Sequence, residues 1–324
     1  MLTYRAGRLV TVVVWLMMAG LSGCRSDAAS TANPTSFSNI PSSIEADNPV
    51  VPVALTDAAG RRVIVKSVDR IVPVDGDLAE IVFALGLGDR VVATDLSATY
   101  PPEADAKPEI GYQRALSAEP ILAFSPTVVL ATPLAGPTEV IDQLRAVVPV
   151  VLIDAPKTLQ GPGDKIRAVA RALGVPERGE ALASQTQREI DAALGSVPSG
   201  SAPRVAALYL RGDRVQQIFG PGSGIHAVLA AINVIDIGER LGVKDNQAIT
   251  TEALIREQPE IVIVTTTGLE SVGGVDKLLA LPALVRTPVA ATKRVLAYED
   301  QYLYGFGPRT GQLLAQLVHD THRI

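Results

Sequence analysis

No strand pattern interrupts the stretch from about residue 163 to 197, and that gap divides the chain. Ile166 to Leu173 and Glu177 to Leu194 carry helical periodicity, and a helix of about 18 residues runs about 27 Å, enough to reach from one folded unit to another. On its N-terminal side, Val53 to Val65 reads as a hairpin turning at Asp57-Ala58-Ala59-Gly60, where Gly60 can take a positive φ. Strands at 70–74, 91–94, 128–131 and 150–153 then alternate with helices at 78–85, 117–124 and 138–147. Parallel strands need long crossovers, so this order favours a parallel sheet covered on both faces. Pro198-Ser199-Gly200-Ser201 ends the helical stretch. A second alternation follows, with strands at 205–210, 261–265 and 295–297, helices at 225–232, 251–257 and 275–281, and a final helix from about 308 to 319. The chain therefore reads as α/β throughout, in the order lobe, long helix, lobe.

The N-terminus addresses the compartment. Arg5 and Arg8 form a basic region ahead of the apolar run Val10 to Leu21, which is short for a membrane span of about 20 residues and suits an export signal. The run ends at Leu21-Ser22-Gly23-Cys24, which resembles a bacterial lipobox, and Cys24 is the only cysteine of the chain. Lipid on Cys24 accounts for a lone thiol in an oxidising compartment and ties the protein to a membrane. Residues 1–23 are then a leader, and 24–52, rich in Ser, Ala, Asn, Pro and Asp, a flexible tether. Loss of Arg5 and Arg8 takes the formal charge from −5 to −7, which argues against a nucleic-acid partner.

The remaining boundaries are an N-terminal lobe over 53–162, a connecting helix over 163–198 and a C-terminal lobe over 199–324. The segments Val74-Asp75-Gly76-Asp77, Ala84-Leu85-Gly86, Thr99-Tyr100-Pro101-Pro102, Gly111-Tyr112-Gln113-Arg114 and Phe124-Ser125-Pro126 together resemble the haem-binding proteins of bacterial haem ABC importers. That resemblance implies two Rossmann-like lobes with central parallel sheets joined by one long helix, the class III periplasmic binding protein fold. It implies an extracytoplasmic, lipid-anchored monomer that carries haem b to an ABC permease, and no enzymatic turnover.

Ferric haem asks for an axial ligand, apolar cover and cations for its propionates. In the family the residue after the loop glycine binds iron, and here it is Tyr112, with Arg114 two positions on. Tyr209-Leu210-Arg211 resembles the Tyr-x-Arg of one subgroup, where the Tyr is a second axial ligand and the Arg supports it. Strand alternation puts Tyr209 and Arg211 on one face, and a phenol with a reference pKa near 10 needs such a cation to ligate as phenolate. Arg211 stands where another subgroup has a His for a second haem, which favours one haem. Near the end, Tyr304-Gly305-Phe306-Gly307-Pro308-Arg309 resembles the family's loop at the cleft mouth. It implies aromatic cover from Tyr304 and Phe306 and a propionate contact from Arg309. Glu80 matches a surface acid that pairs with permease arginines, and its C-lobe counterpart, expected near Ile225-His226-Ala227-Val228, is missing.

Rival readings are weaker. His226, His319 and His322 are the only histidines, too few for a zinc or manganese site in the cleft. A ferric siderophore or cobalamin is the alternative ligand within the class. An envelope enzyme lacks support, since there is no G-x-S-x-G elbow and no Walker loop. Gly220-Pro221-Gly222-Ser223-Gly224 reads as a turn with Ser223 as N-cap. A structural lipoprotein without a ligand is the remaining option.

Overall fold

The computed structural model describes residues 48–154, 157–212 and 214–323; the expected leader 1–23, Cys24 and the expected tether up to residue 47 lie outside them. Val50 already donates to the Gly174 carbonyl at 2.9 Å, so the chain is docked three residues before the expected start of the lobe. The hairpin pairs Val53–Thr56 with Arg62–Val65 antiparallel. Its turn is held by the Asp57 carboxylate, which accepts from the Ala59 and Arg61 amides, and by Gly60 at φ 75°.

Ile71–Pro73, Val128–Ala131 and Val150–Leu152 form the parallel sheet of the first lobe. The expected strand at 91–94 is reduced to isolated parallel bridges, Val91 to Ile71 and Thr94 to Glu109. Period-two alternation splits the sheet between two cores. Ile71, Val128, Leu130 and Val151 pack with Leu78 and Ile81 of the helix Gly76–Ala84 and with Ile166 and Val169 of the helix Gly161–Ala172. Val72, Val129, Ala131 and Val150 pack with Ile121, Ile141 and Leu144 on the opposite face. With both faces covered, the strands are apolar throughout, as parallel sheets require.

The second lobe is built on Arg204–Arg211, which pairs in parallel with Ile261–Thr265, itself parallel to Val295–Tyr298. Val205, Ala207, Ile261 and Ile263 face the helices Gly224–Ala231 and Thr310–His322, whereas Ala206, Leu208, Val262 and Val264 face Leu254, Leu278 and Val289. The sequence pattern did not show that Arg204–Arg211 turns back through Gly212 (φ 68°) into the antiparallel strand Arg214–Phe219. Ser223 occupies the N-cap position of Gly224–Ala231, yet its hydroxyl donates to the Gly220 carbonyl at 2.6 Å instead of capping.

One helix, Pro176–Gly195, belongs to both lobes. Leu182 and Ala183 enter the core of the first, and Ile190 and Ala193 that of the second. Proline at its first turn starts it without loss of a bond. The connecting helix expected over 163–198 is shorter than that, because the chain breaks at Leu173-Gly174 (φ 73°). Gly161–Ala172 folds back on Pro176–Gly195, with Arg167 bridging to Glu180 at 2.7 Å and Gly179 lying so close to Ala170 that a Cβ there would overlap it.

Candidate functional site

Ligands of open α/β sheets bind beyond the carboxyl ends of the strands. Of the eight exposed large apolar side chains among the described residues, three follow such ends in the first lobe: Leu96, Tyr112 and Leu134. Their segments are stitched together by backbone bonds, Leu96 N–H to the Gly111 carbonyl at 2.9 Å and Gly136 N–H to the Gln113 carbonyl at 2.9 Å. Gly111, at φ 95°, turns the chain where a side chain would be strained, and Tyr112 stands out at 46% exposure. Arg114 is exposed in the same turn, which the Ala115 amide closes onto the Tyr112 carbonyl at 2.8 Å. The loop thus offers a phenol and two leucines to a flat apolar surface, with a guanidinium beside them.

In the second lobe, Tyr209 and Arg211 are both exposed while Leu210 between them is buried. The parallel ladder pairs Ala207 with Ile263, two residues before Tyr209 on one strand and two before Thr265 on the other. Thr265 and Thr267 hydroxyls bond the carboxylate of Asp300, whose Oδ2 is buried and has no partner. Burial pushes the Asp300 carboxyl above its usual range, and Glu299 adds to this. Burial likewise pushes the Tyr304 phenol up, with Asp300 and Tyr209 adding to it, which keeps Tyr304 a hydrogen-bond donor. The Tyr304 ring tilts against Phe219, centroids 5.3 Å apart. Tyr304 therefore belongs to the group around Tyr209.

Three expected site residues sit elsewhere. Arg309 is 5% exposed and forms a bidentate pair with Glu80, Nε to Oε1 at 2.9 Å and Nη2 to Oε2 at 2.8 Å. Its guanidinium also lies 3.7 Å from the Tyr100 ring centroid. Committed to Glu80, it is not available to a propionate. Glu80 is correspondingly 2% exposed, so it is not a surface acid and cannot meet a permease. Phe306, 7% exposed, is part of the second lobe's core and closes over Gly224, where a Cβ would meet its ring, so it does not cover a ligand in the cleft.

Instead of forming the cleft mouth, the segment 299–309 straps the two lobes together. Gln301 donates to the Gly76 carbonyl, to Glu80 and to the Tyr100 carbonyl, and accepts from the Tyr100 amide at 3.0 Å. Thr99 bonds Glu299 at 2.7 Å, and the buried Lys165 bonds both Asp77 and the Gly305 carbonyl. Burial pushes Glu80 up against the opposing pull of Arg309 and Gln301. At another edge of the junction Lys157 reaches the Gly222 carbonyl at 2.6 Å.

A spacing of 133 residues relates two further acids. Ser117-Ala118-Glu119 opens Ala118–Ala123 and runs through Pro126 into the strand Val128–Ala131; Thr250-Thr251-Glu252 opens Thr251–Glu257 and runs through Pro259 into Ile261–Thr265. Ser125 and Gln258, equivalent in this offset, both take positive φ, 46° and 52°. Glu119 and Glu252 are both exposed in the first turns of these helices. The offset is visible in the sequence, in the repeat of an acid, a proline and an apolar strand 133 residues apart. Among the described residues no cluster of three His, Cys, Asp or Glu could hold a bare metal ion.

Residues 71–302 match the model of the periplasmic binding protein family. The chain belongs to that family. This binding protein is thus an extracytoplasmic substrate-binding protein and not an enzyme, and none of its described helices is long and apolar enough to cross a membrane. It is similar to the periplasmic haem-binding protein RhuT from Roseiflexus sp. RS-1, at 45% identity over 79% of this chain and 98% of that one, with a TM-score of 0.77. The haem-binding protein HmuT is 32% identical over 86% of this chain and 92% of its own, with a TM-score of 0.78. Among solved HmuT variants, one replaces a tyrosine and another an arginine two positions further on. The vitamin B12-binding protein of Pectobacterium carotovorum subsp. carotovorum (strain PC1) is 24% identical over 74% of this chain and 83% of its own. The solved neighbours are class III periplasmic binding proteins, and this chain shares their fold.

Proposed function

We propose that this protein captures one haem b between its lobes, over 53–162 and 199–324, and delivers it to an ABC permease. The observation that carries this reading is the pairing of an exposed Tyr112, on a glycine-turned apolar loop, with an exposed Tyr209-x-Arg211 strand end. Tyr112 and Tyr209 are the iron ligands, Arg211 supports the Tyr209 phenolate, and Arg114 and Arg211 meet the propionates. Leu96, Leu134 and Tyr304 cover the porphyrin. The 45% identity to RhuT and the Tyr-x-Arg spacing shared with the HmuT variants support it. The protein acts as a monomer, anchored by lipid on Cys24.

Titration of the protein with haemin is expected to give a saturable complex with charge-transfer bands toward the red. Tyr112→Ala and Tyr209→Phe should each weaken binding about 10- to 100-fold, about 1.4–2.8 kcal/mol, and dim those bands. A complex indifferent to both substitutions would remove the ligand assignment. Cobalamin, the ligand named for the more distant relatives, is the second reading; binding of cyanocobalamin in preference to haemin would select it.

Permease docking falls to Glu119 and Glu252, since one acid at the same place in each half suits a partner that grips both lobes. Glu119→Gln combined with Glu252→Gln is expected to leave haem binding intact and to lower transporter ATPase stimulation about tenfold or more, with a weaker salt dependence. Full stimulation by the double variant would reject this pair.

A further inference from the structure

The strap and the Tyr112 loop are joined by a run of polar contacts through the first lobe. Gln301 Nε2 donates to the Gly76 carbonyl at 2.9 Å, and the amide of the same glycine donates to Ser97 Oγ at 2.9 Å. Ser97 gives its one hydroxyl proton to the Asp95 carboxylate, 2.9 Å from each oxygen. Asp95 in turn accepts the amide proton of Gln113, the residue after Tyr112. Leu96, next to Asp95, holds the Gly111 carbonyl on the other side of Tyr112.

The members leave little freedom. Asp95 is 2% and Gln301 7% exposed, so neither can replace a lost partner with bulk water. Gly76 lies so close beneath the 97–98 backbone that a Cβ there would overlap it. Gly76 thus stands between Gln301 and Ser97, and the Ser97 hydroxyl donates to the carboxylate that accepts from the loop.

We propose that Asp95 is a positioning residue for Tyr112 and that Gln301, from the strap, holds it in place through Gly76 and Ser97. The ligand-bearing loop is then set by the junction between the lobes before any ligand arrives. Its consequence for haem rests on the reading of the site above, but the positioning itself does not.

Contiguity alone does not establish coupling, so the test perturbs the far end. Amide hydrogen exchange of the ligand-free full chain is measured for the wild type, Gln301→Leu, Ser97→Ala and Ser97→Thr. Exchange across 111–116 should quicken about tenfold in Gln301→Leu and Ser97→Ala while Val128–Ala131 in the same lobe keeps its protection, and Ser97→Thr should restore the loop. An unchanged loop, or loosening that spreads equally into that strand, overturns the proposal. If Gln301→Leu fails to fold, Ser97→Ala and Ser97→Thr decide alone. In the loaded protein, transfer of haem to an apoprotein scavenger should quicken about tenfold in the same two variants, with altered charge-transfer bands. A wild type that binds no haem would end the functional reading and leave the exchange result to judge the positioning.

Discussion

Arg309→Ala is expected to cost the folded protein about 3–5 kcal/mol, because it leaves Glu80 buried without its counter-ion. The two side chains are 6% and 2% exposed, and burial already pushes the Glu80 carboxyl up despite Arg309. Domains of ordinary stability hold about 5–15 kcal/mol in total, so one substitution removes about a fifth of it or more. The double variant Glu80→Leu with Arg309→Met should recover most of the loss, since neither charge then needs desolvating. Urea unfolding at neutral pH measures both, and a loss under about 1 kcal/mol for the single variant would show that water reaches the pair.

Asp95 carries the second large effect, and it depends on pH. Burial, reinforced by Asp77, lifts its carboxyl to about 6 against the pull of bonds from Ser97 and Gln113. In the unfolded chain an aspartate titrates near 3.9. The folded state therefore holds the proton more tightly, and its contribution is most favourable below about pH 4, falls as pH rises through the range 4 to 6, and levels off above it. The full difference is about 3 kcal/mol. Asp95→Asn should raise stability by up to about that amount at pH 7.5 and change it little at pH 4. Glu180, drawn down to about 2 by Arg167, has the opposite slope, so the comparison is the variant minus wild type at each pH. A difference independent of pH would mean that Asp95 titrates normally.

Much of this architecture is local in origin and could be read from the chain. Val128–Ala131, Thr251–Glu257 and Ile261–Thr265 fall at the residues their patterns mark, because an apolar run between turn signals leaves few alternatives. Arg214–Phe219 is not apparent because the adjacent Gln216-Gln217 interrupt the apolar alternation of a strand that lies outside the parallel core. Asp300–Tyr304, a helix of five residues, is too short to display a period. The site divides the same way. Tyr112 and Tyr209 were legible as loop and strand positions, whereas Glu80 reads as a surface acid for permease docking because its partner lies 229 residues away. No local pattern announces such a pair, and the same pair occupies Arg309.

The helix Pro176–Gly195 has a consequence beyond joining the halves. Leu182 is a wall of one interior and Ile190, two turns on, a wall of the other. Neither half can melt without taking a structural member from its neighbour, so heat or denaturant acts on the molecule as a single cooperative body rather than on two beads along a string.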